Sequence, residues 1–434
     1  MKKNNTHLVF TPTSPAMLSF VERDDNVNDE LVDAMKIPGM QVILYGPSGA
    51  GKTTLLLNKL NQLYESHIIT RCMVGMTLEQ IILDGFDQLN CFYTTETTNS
   101  NKLTLSTDLK ASYIGMQTII ERHFQETSSR ILPVQLTPQR LAYYFGNSGN
   151  CWVLEDFHKV EEKEKIKISQ IMKVFMDSSV DYPELKIVAV GAVDSARQVV
   201  KYDPEMKQRV SEIYVPLMSD HEIAKIIYKG ENLLNISIKT NITKRILRFS
   251  SGLPSVCHHL CLIMCTNLRL YETSENLLKL TEEDFDKAVE KYVKSSSDTL
   301  KEIFDKAVKV DRVRKYNNPQ LILLSILQLG KDGLSHNDIL NKIKKTTPEY
   351  PAGNLTTYLT QLQSVERGEI LRFDKNAGLY SFSSPFLKAY AHCVLTQQAK
   401  KQLNIENIDI PLFELTKYIK EVFKARMEIE KDNN

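Results

Sequence analysis

Eight consecutive residues, Gly46-Pro47-Ser48-Gly49-Ala50-Gly51-Lys52-Thr53, constrain this chain more than any other feature. Three glycines in six positions let the backbone curl until successive N–H groups point inward, a concavity suited to phosphate oxygens. The apolar run at residues 41–45 is of strand length, and Thr54 and the leucines after it open a helix. Strand, glycine loop and helix together are the setting in which this spacing carries meaning, because the helix adds its positive N-terminus to the cradle. In that setting Lys52 is placed for the β- and γ-phosphates of a nucleotide and the Thr53 hydroxyl for Mg2+. The residues expected to touch nucleotide are thus Gly46, Pro47, Ser48, Gly49, Ala50, Gly51, Lys52, Thr53 and Thr54.

Around that loop the pattern alternates. Strands are expected at 68–74, 151–154, 185–190 and 212–217, with helices at 78–90 and 161–177 between them. An acidic stretch from Phe20 is expected to start a helix that Gly39 ends. Such alternation implies an α/β fold, a parallel sheet covered by helices on both faces. Residues 91–130 interrupt it with a Thr/Asn/Ser-rich insertion and an amphipathic helix near 114–124. From 219 to 300 four helical stretches follow one another with no strand pattern, which reads as a helical lid. Three further helices (319–329, 335–345, 353–363) lead to a hairpin, 370–373 and 379–382, around Asn376-Ala377-Gly378, the order of a winged helix. The expected organisation is an arm at 1–19, a P-loop core at 20–218, the lid at 219–300, a winged-helix domain at 301–395 and a closing helical segment at 396–434.

The charge balance narrows the partners. Lys and Arg number 54 against 53 Asp and Glu, a net charge of +1, so global charge favours neither nucleic acid nor a membrane surface. Seven cysteines without paired spacing read as free thiols in a reducing compartment. With no signal-like segment and no long apolar run, the expectation is a cytoplasmic protein. Cys257, Cys261 and Cys265 recur every four residues, one stripe of a helix, and are expected to be small buried apolar groups. No metal other than Mg2+ is expected.

Beyond the loop, the apolar run Trp152-Val153-Leu154 ends in Glu155-Asp156. Two carboxylates at the tip of a buried strand can serve a metal and an attacking water: Glu155 for Mg2+ through a water, Asp156 to polarise the nucleophile. The strand that ends in Val190-Gly191-Ala192-Val193 is followed by Asp194 and Ser195, either γ-phosphate contacts or helix caps. Arg209, just before the last core strand, is either a surface residue or an arginine whose planar fork reaches a neighbouring subunit's γ-phosphate. Pro254, in Gly252-Leu253-Pro254, suits a first helical position. The helix after Gly353 carries Asn354, Thr356, Thr357, Tyr358, Gln361 and Gln363, side chains able to read DNA. Residues 319–395, however, hold eight basic and six acidic groups, a weak basic face, and a protein contact is favoured over DNA.

In this order the features resemble the STAND-class and archaeal-type ATPases within the AAA+ group, whose members include NB-ARC-like switches and replication-origin initiators. Phe20-Val21-Glu22-Arg23-Asp24 is similar to the Phe-Val-Gly-Arg-Glu opening of that group, with Glu22 in the glycine position. The resemblance spans residues 18–395. It implies an ATP/ADP-dependent, oligomeric ATPase in which Arg23 lies near the adenine and Pro254 near the base or phosphate. The family has Asp first in its acidic pair; here Glu155 comes first, and the shorter Asp156 implies slow hydrolysis. The absence of an Asn-Lys-x-Asp motif favours ATP over GTP. With no superhelical repeat array and no effector segment, the implied role is to control a partner protein, possible effectors of bacterial defence included. The alternatives are a DNA-binding ATPase of initiator or transposition-helper type and a pseudo-enzyme that binds ATP for structure alone.

Overall fold

The computed structural model describes residues 3–24, 26–64, 66–89, 137–193, 195–200, 204–310, 315–329, 333–374 and 377–403. The expected insertion at 91–130, the helix at 411–430 and Asp194 lie outside these residues. The chain forms two compact units, one of residues 22–217, the other of residues up to Val21 together with those from Met218 onward.

The first unit is built on five parallel strands: β1 (Gln41–Tyr45), β2 (His67–Arg71), β3 (Cys151–Glu155), β4 (Ile187–Gly191) and β5 (Val210–Tyr214). Their spatial order is β2-β3-β4-β1-β5, so β1 is flanked by β4 and β5. β1, β3 and β4 are apolar along nearly their whole length and buried. That is what a parallel sheet covered on both faces requires. Alternate residues Ile43, Trp152, Leu154, Ile187 and Ala189 join one core with Phe145 and Phe175, while Val42, Leu44, Val153 and Val188 between them are equally buried. Trp152 stacks on Phe145 with ring centroids 5.2 Å apart, and its indole N–H donates to Thr70 Oγ1 at 3.0 Å. Helices Leu78–Gln88, Pro138–Ser148 and Glu162–Asp177 contribute to this core. The first begins with a reciprocal Thr77–Gln80 capping box, the second with Thr137 as cap and Pro138 in its first turn.

The acidic opening does not start a helix at once. Residues 20–24 run without helix, and the helix forms at Val27–Lys36, because Arg23 is drawn into contacts of its own and Asn28 donates to the Arg23 carbonyl at 2.7 Å. Likewise the Ser195 side chain makes no cap for the short helix Ala196–Val199.

In the second unit, helices Asp220–Leu234, Thr240–Ser250, Pro254–Asn267 and Glu282–Ser295 match the expected four. Two strands also occur there, β6 (Ile236–Ile238) and β7 (Leu278–Leu280), paired in parallel. Three residues apiece are too few for alternation to stand out from a helical pattern, which is why the sequence reads as strand-free. The expected cysteine stripe is buried along Pro254–Asn267. Residues 3–19 are packed rather than loose. The Thr6 N–H donates to Tyr271 O at 2.9 Å, and Phe10 is wholly buried over Gly230, where a Cβ would fall 2.2 Å from its ring. Helices Asn318–Leu329, His336–Thr346 and Ala352–Gln361 precede the antiparallel hairpin β8 (Leu371–Asp374) and β9 (Leu379–Phe382). Leu334 exchanges two main-chain hydrogen bonds with Tyr380, adding a third strand-like element to the hairpin. The last helix among the described residues, Pro385–Leu403, is tied to Thr240–Ser250 by His392, whose ring stacks on Phe249 at 4.8 Å. No helix among the described residues is long and apolar enough to cross a membrane.

Candidate functional site

The glycine loop leaves β1 at the carboxyl edge of the sheet, where ligands of parallel α/β sheets sit. Gly46, Gly49 and Gly51 have φ of 142°, 79° and 87°, all in the region that L side chains avoid. Gly46 has a second constraint. The Val215 N–H donates to Tyr45 O at 2.8 Å, and this holds the Val215 backbone so close that a Cβ on Gly46 would lie 2.2 Å from Val215 O. Gly51 ends the loop at the N-cap of the helix Lys52–Leu63, and Thr54 lies in its first turn. Pro47, Ser48 and Ala50 complete the curl, Ser48 exposed and Ala50 buried.

Lys52 is folded back over the loop, its ammonium donating to the Gly46 and Pro47 carbonyls at 2.9 and 2.8 Å. Burial brings its pKa down to about 8, and the nearby Asp156 opposes that fall. The Thr53 hydroxyl donates to Glu155 Oε1 at 2.8 Å, joining residues 102 apart in sequence. Glu155 also has Arg71 Nε 3.6 Å from Oε2, because β2 and β3 pair Arg71 with Glu155. Asp156 turns sharply away with φ 55°, its carboxylate held by Lys159 at 2.6 Å. The single 3-10 turn Phe157–Lys159 that follows brings His158 to the end of β4, where its Nδ1 accepts the Ala192 N–H at 3.3 Å.

Arg23 braces this loop from behind. Buried, it donates to Ala50 O at 3.2 Å and to Pro216 O at 2.6 Å. Its neighbour Glu22, in the position where the resembled group has glycine, pairs with Lys59 at 2.6 Å. Arg209 precedes β5 at the amino edge of the sheet, a strand length, about 13 Å, from the phosphate loop. There it pairs with Asp177 at 2.9 Å. Pro254 starts its helix in the other unit. The structure therefore gathers Lys52, Thr53, Glu155 and Asp156 at one edge with Arg23 behind them, and leaves Arg209 apart. Arg71, His158 and Lys159 were missed by the sequence reading; only their nearness to the strand tips signals them.

The oxygens of Thr53 and Glu155, beside a cation and a cradle of N–H groups, are hard donors suited to Mg2+ alongside phosphate. No family model matches the chain, and no curated protein matches it. Among solved structures, it is similar to the Walker-type ATPase of Pyrococcus abyssi, with 13% identity, a TM-score of 0.45 and 87% of this chain and 100% of that one covered. It is also similar to Cdc6p of Pyrobaculum aerophilum (14% identity, TM-score 0.40, 90% and 98% covered) and to the RuvB Holliday junction branch migration motor of Thermotoga maritima (13%, 0.42, 92% and 99%). The core has the fold of the P-loop NTPases. Its own loop, strand order and buried parallel strands establish that.

Proposed function

We propose that this chain binds Mg-ATP and hydrolyses it slowly, as a cytoplasmic switch that oligomerises and controls a partner protein. The observation that carries this reading is the Thr53–Glu155 hydrogen bond, which sets a hydroxyl and a carboxylate beside Lys52 at the mouth of the loop. Residues 46–54 hold the phosphates, Lys52 the β- and γ-oxygens. Thr53 and Glu155 would hold the metal, and Mg2+ bound with the nucleotide would neutralise charge on the phosphate oxygens. Asp156 polarises the attacking water. Its short side chain, already engaged by Lys159, supports slow turnover. Arg23 acts on the loop carbonyl of Ala50, so its contribution is to loop shape.

A DNA-binding ATPase is the second reading, resting on the helix Ala352–Gln361. Its threonines weaken it. Thr356, Thr357 and Thr360 donate their hydroxyl protons to carbonyls one turn back, leaving those hydroxyls only acceptor capacity for a base edge. The test is ATP turnover with and without duplex DNA, beside particle size in ADP and in ATP. Turnover indifferent to DNA with a larger particle in ATP is expected. Stimulation by DNA, steeply reduced by salt, would replace the switch reading with the second one.

Arg209, before β5 at the opposite edge of the sheet, is too far from its own loop to serve it, so its proposed action is on a neighbour's γ-phosphate. Arg209→Ala is expected to lower turnover at least about 10-fold with ATP affinity within about twofold of the parent. Full turnover in that variant would remove Arg209 from the mechanism.

A further inference from the structure

The turn after β3 holds one group that the proposed reaction has not used. His158 lies three residues beyond Glu155, half-buried, and its Nδ1 accepts the main-chain N–H of Ala192 at 3.3 Å. A ring that accepts at Nδ1 carries its proton at Nε2, so this contact selects one neutral tautomer. Ala192 is the first residue past β4, and its methyl group offers no hydrogen bond there. The approach depends on Gly191: a Cβ at that position would lie 3.3 Å from His158 Cβ and 2.6 Å from Val199 Cγ2. On the other side of His158, two residues back, Asp156 sits in left-handed backbone, and Lys159 Nζ meets its carboxylate at 2.6 Å. The four residues 156–159 therefore form one tight turn, closed by the Lys159 N–H to Asp156 O bond at 2.9 Å and the Lys159–Asp156 ion pair, anchored in the core by buried Phe157, and hydrogen-bonded through His158 to the main chain just past β4.

We propose that His158 is a positioning residue for hydrolysis: by accepting the Ala192 N–H it fixes the turn that carries Asp156 to the tip of β4, and so sets where that carboxylate meets the attacking water. The inference rests on the reading of Asp156 given above. A left-handed non-glycine residue is held only by its surroundings, since that backbone costs about 1 kcal/mol. The salt bridge to Lys159 cannot do this alone, because both partners ride on the same turn and move together. Phe157 holds the turn by packing alone, and His158 is the member whose side-chain hydrogen bond reaches the main chain just past β4.

Removing the acceptor should disturb chemistry rather than nucleotide binding, which Lys52 and the loop carry. His158→Asn restores an acceptor close to the Nδ1 position on a side chain that lacks the ring. The experiment is single-turnover and steady-state hydrolysis of Mg-ATP by the full chain, with ATP affinity measured separately, for His158→Ala, His158→Asn and Asp156→Asn. The expected result is a kcat at least 10-fold lower in His158→Ala with KM and affinity within twofold, at least one-third of parental kcat in His158→Asn, and a loss of kcat in Asp156→Asn. Parental kcat in His158→Ala beside a dead Asp156→Asn would overturn the inference while leaving the site reading intact. So would a His158→Asn chain whose kcat is about 10-fold or more below the parent's, a comparison that stands even if the alanine variant does not fold. Parental turnover in Asp156→Asn, or no hydrolysis by the unaltered chain, would overturn the site reading itself and this inference with it.

Discussion

Lys52→Ala is expected to weaken ATP binding roughly 100-fold, on the order of 3 kcal/mol, the worth of a charge-assisted contact to phosphate in a partly dehydrated site. The folded state of the chain itself should tolerate the change. The Lys52 ammonium is buried against two loop carbonyls, and burial opposes its charge enough to bring its pKa from 10.5 to about 8. Between pH 8 and 10.5 the unfolded chain holds this proton and the folded one does not, so this group's contribution to stability rises with pH across that window. Triphosphate reverses the balance. An anion beside Lys52 raises its pKa again, so binding takes up a proton above pH 8, and affinity, full below that pH, falls as pH rises further. Calorimetric titration of ATP at pH 8.5 in two buffers of different ionisation enthalpy should therefore give different apparent enthalpies for the parent chain and equal ones for Lys52→Ala. Undiminished ATP affinity in the variant would remove the loop as the nucleotide site.

What the sequence made legible, and what it hid, divide by the kind of partner. The loop could be read because its chemistry lies in consecutive residues whose glycines exist for backbone reasons. Glu155 and Asp156 were singled out because they end a buried apolar run in a chain that also carries the glycine loop; in the structure the Thr53 hydroxyl donates to Glu155 at 2.8 Å. The α/β core followed from strand-length apolar runs alternating with helices. Arg23 was singled out only through the resemblance, as a residue near the adenine, and its contacts could not be read, since its partners are the carbonyls of Ala50 and Pro216, which carry no side-chain signature and lie 27 and 193 residues away. His158 was invisible for the same reason, its partner being a main-chain N–H. Lys186, which a sequence would place at the surface, is buried beside the Ile37 carbonyl that ends the helix Val27–Lys36. A one-dimensional pattern reports faces and periods; it does not report which backbone group a long side chain will find.

Gly46 shows the same limit from the opposite direction, and its substitution is the second large effect expected. Glycine at this position reads as conformational freedom alone, and φ 142° does need it. The larger obstacle comes from residue 215. A Cβ on Gly46 would sit 2.2 Å from Val215 O and 3.1 Å from Val215 C, and main chain cannot swing aside as a side-chain tip can. Relief would require breaking the Val215 N–H to Tyr45 O bond of 2.8 Å, which continues the β1–β5 pairing. Gly46→Ala is thus expected to cost about 4 kcal/mol, combining strained backbone with a lost buried hydrogen bond, and to lower the melting temperature by about 8–16 °C for a unit of this size. Gly75→Ala separates the two causes. Gly75 has φ 80° with nothing within 4 Å of the added carbon, so that variant meets conformational strain alone, about 1 kcal/mol. The two melting temperatures, measured without nucleotide, should differ by several degrees, and ATP binding should be lost in Gly46→Ala and kept in Gly75→Ala. Equal melting temperatures would mean that Val215 does not press on the loop, and that the close approach at the end of β1 has no part in shaping the phosphate cradle.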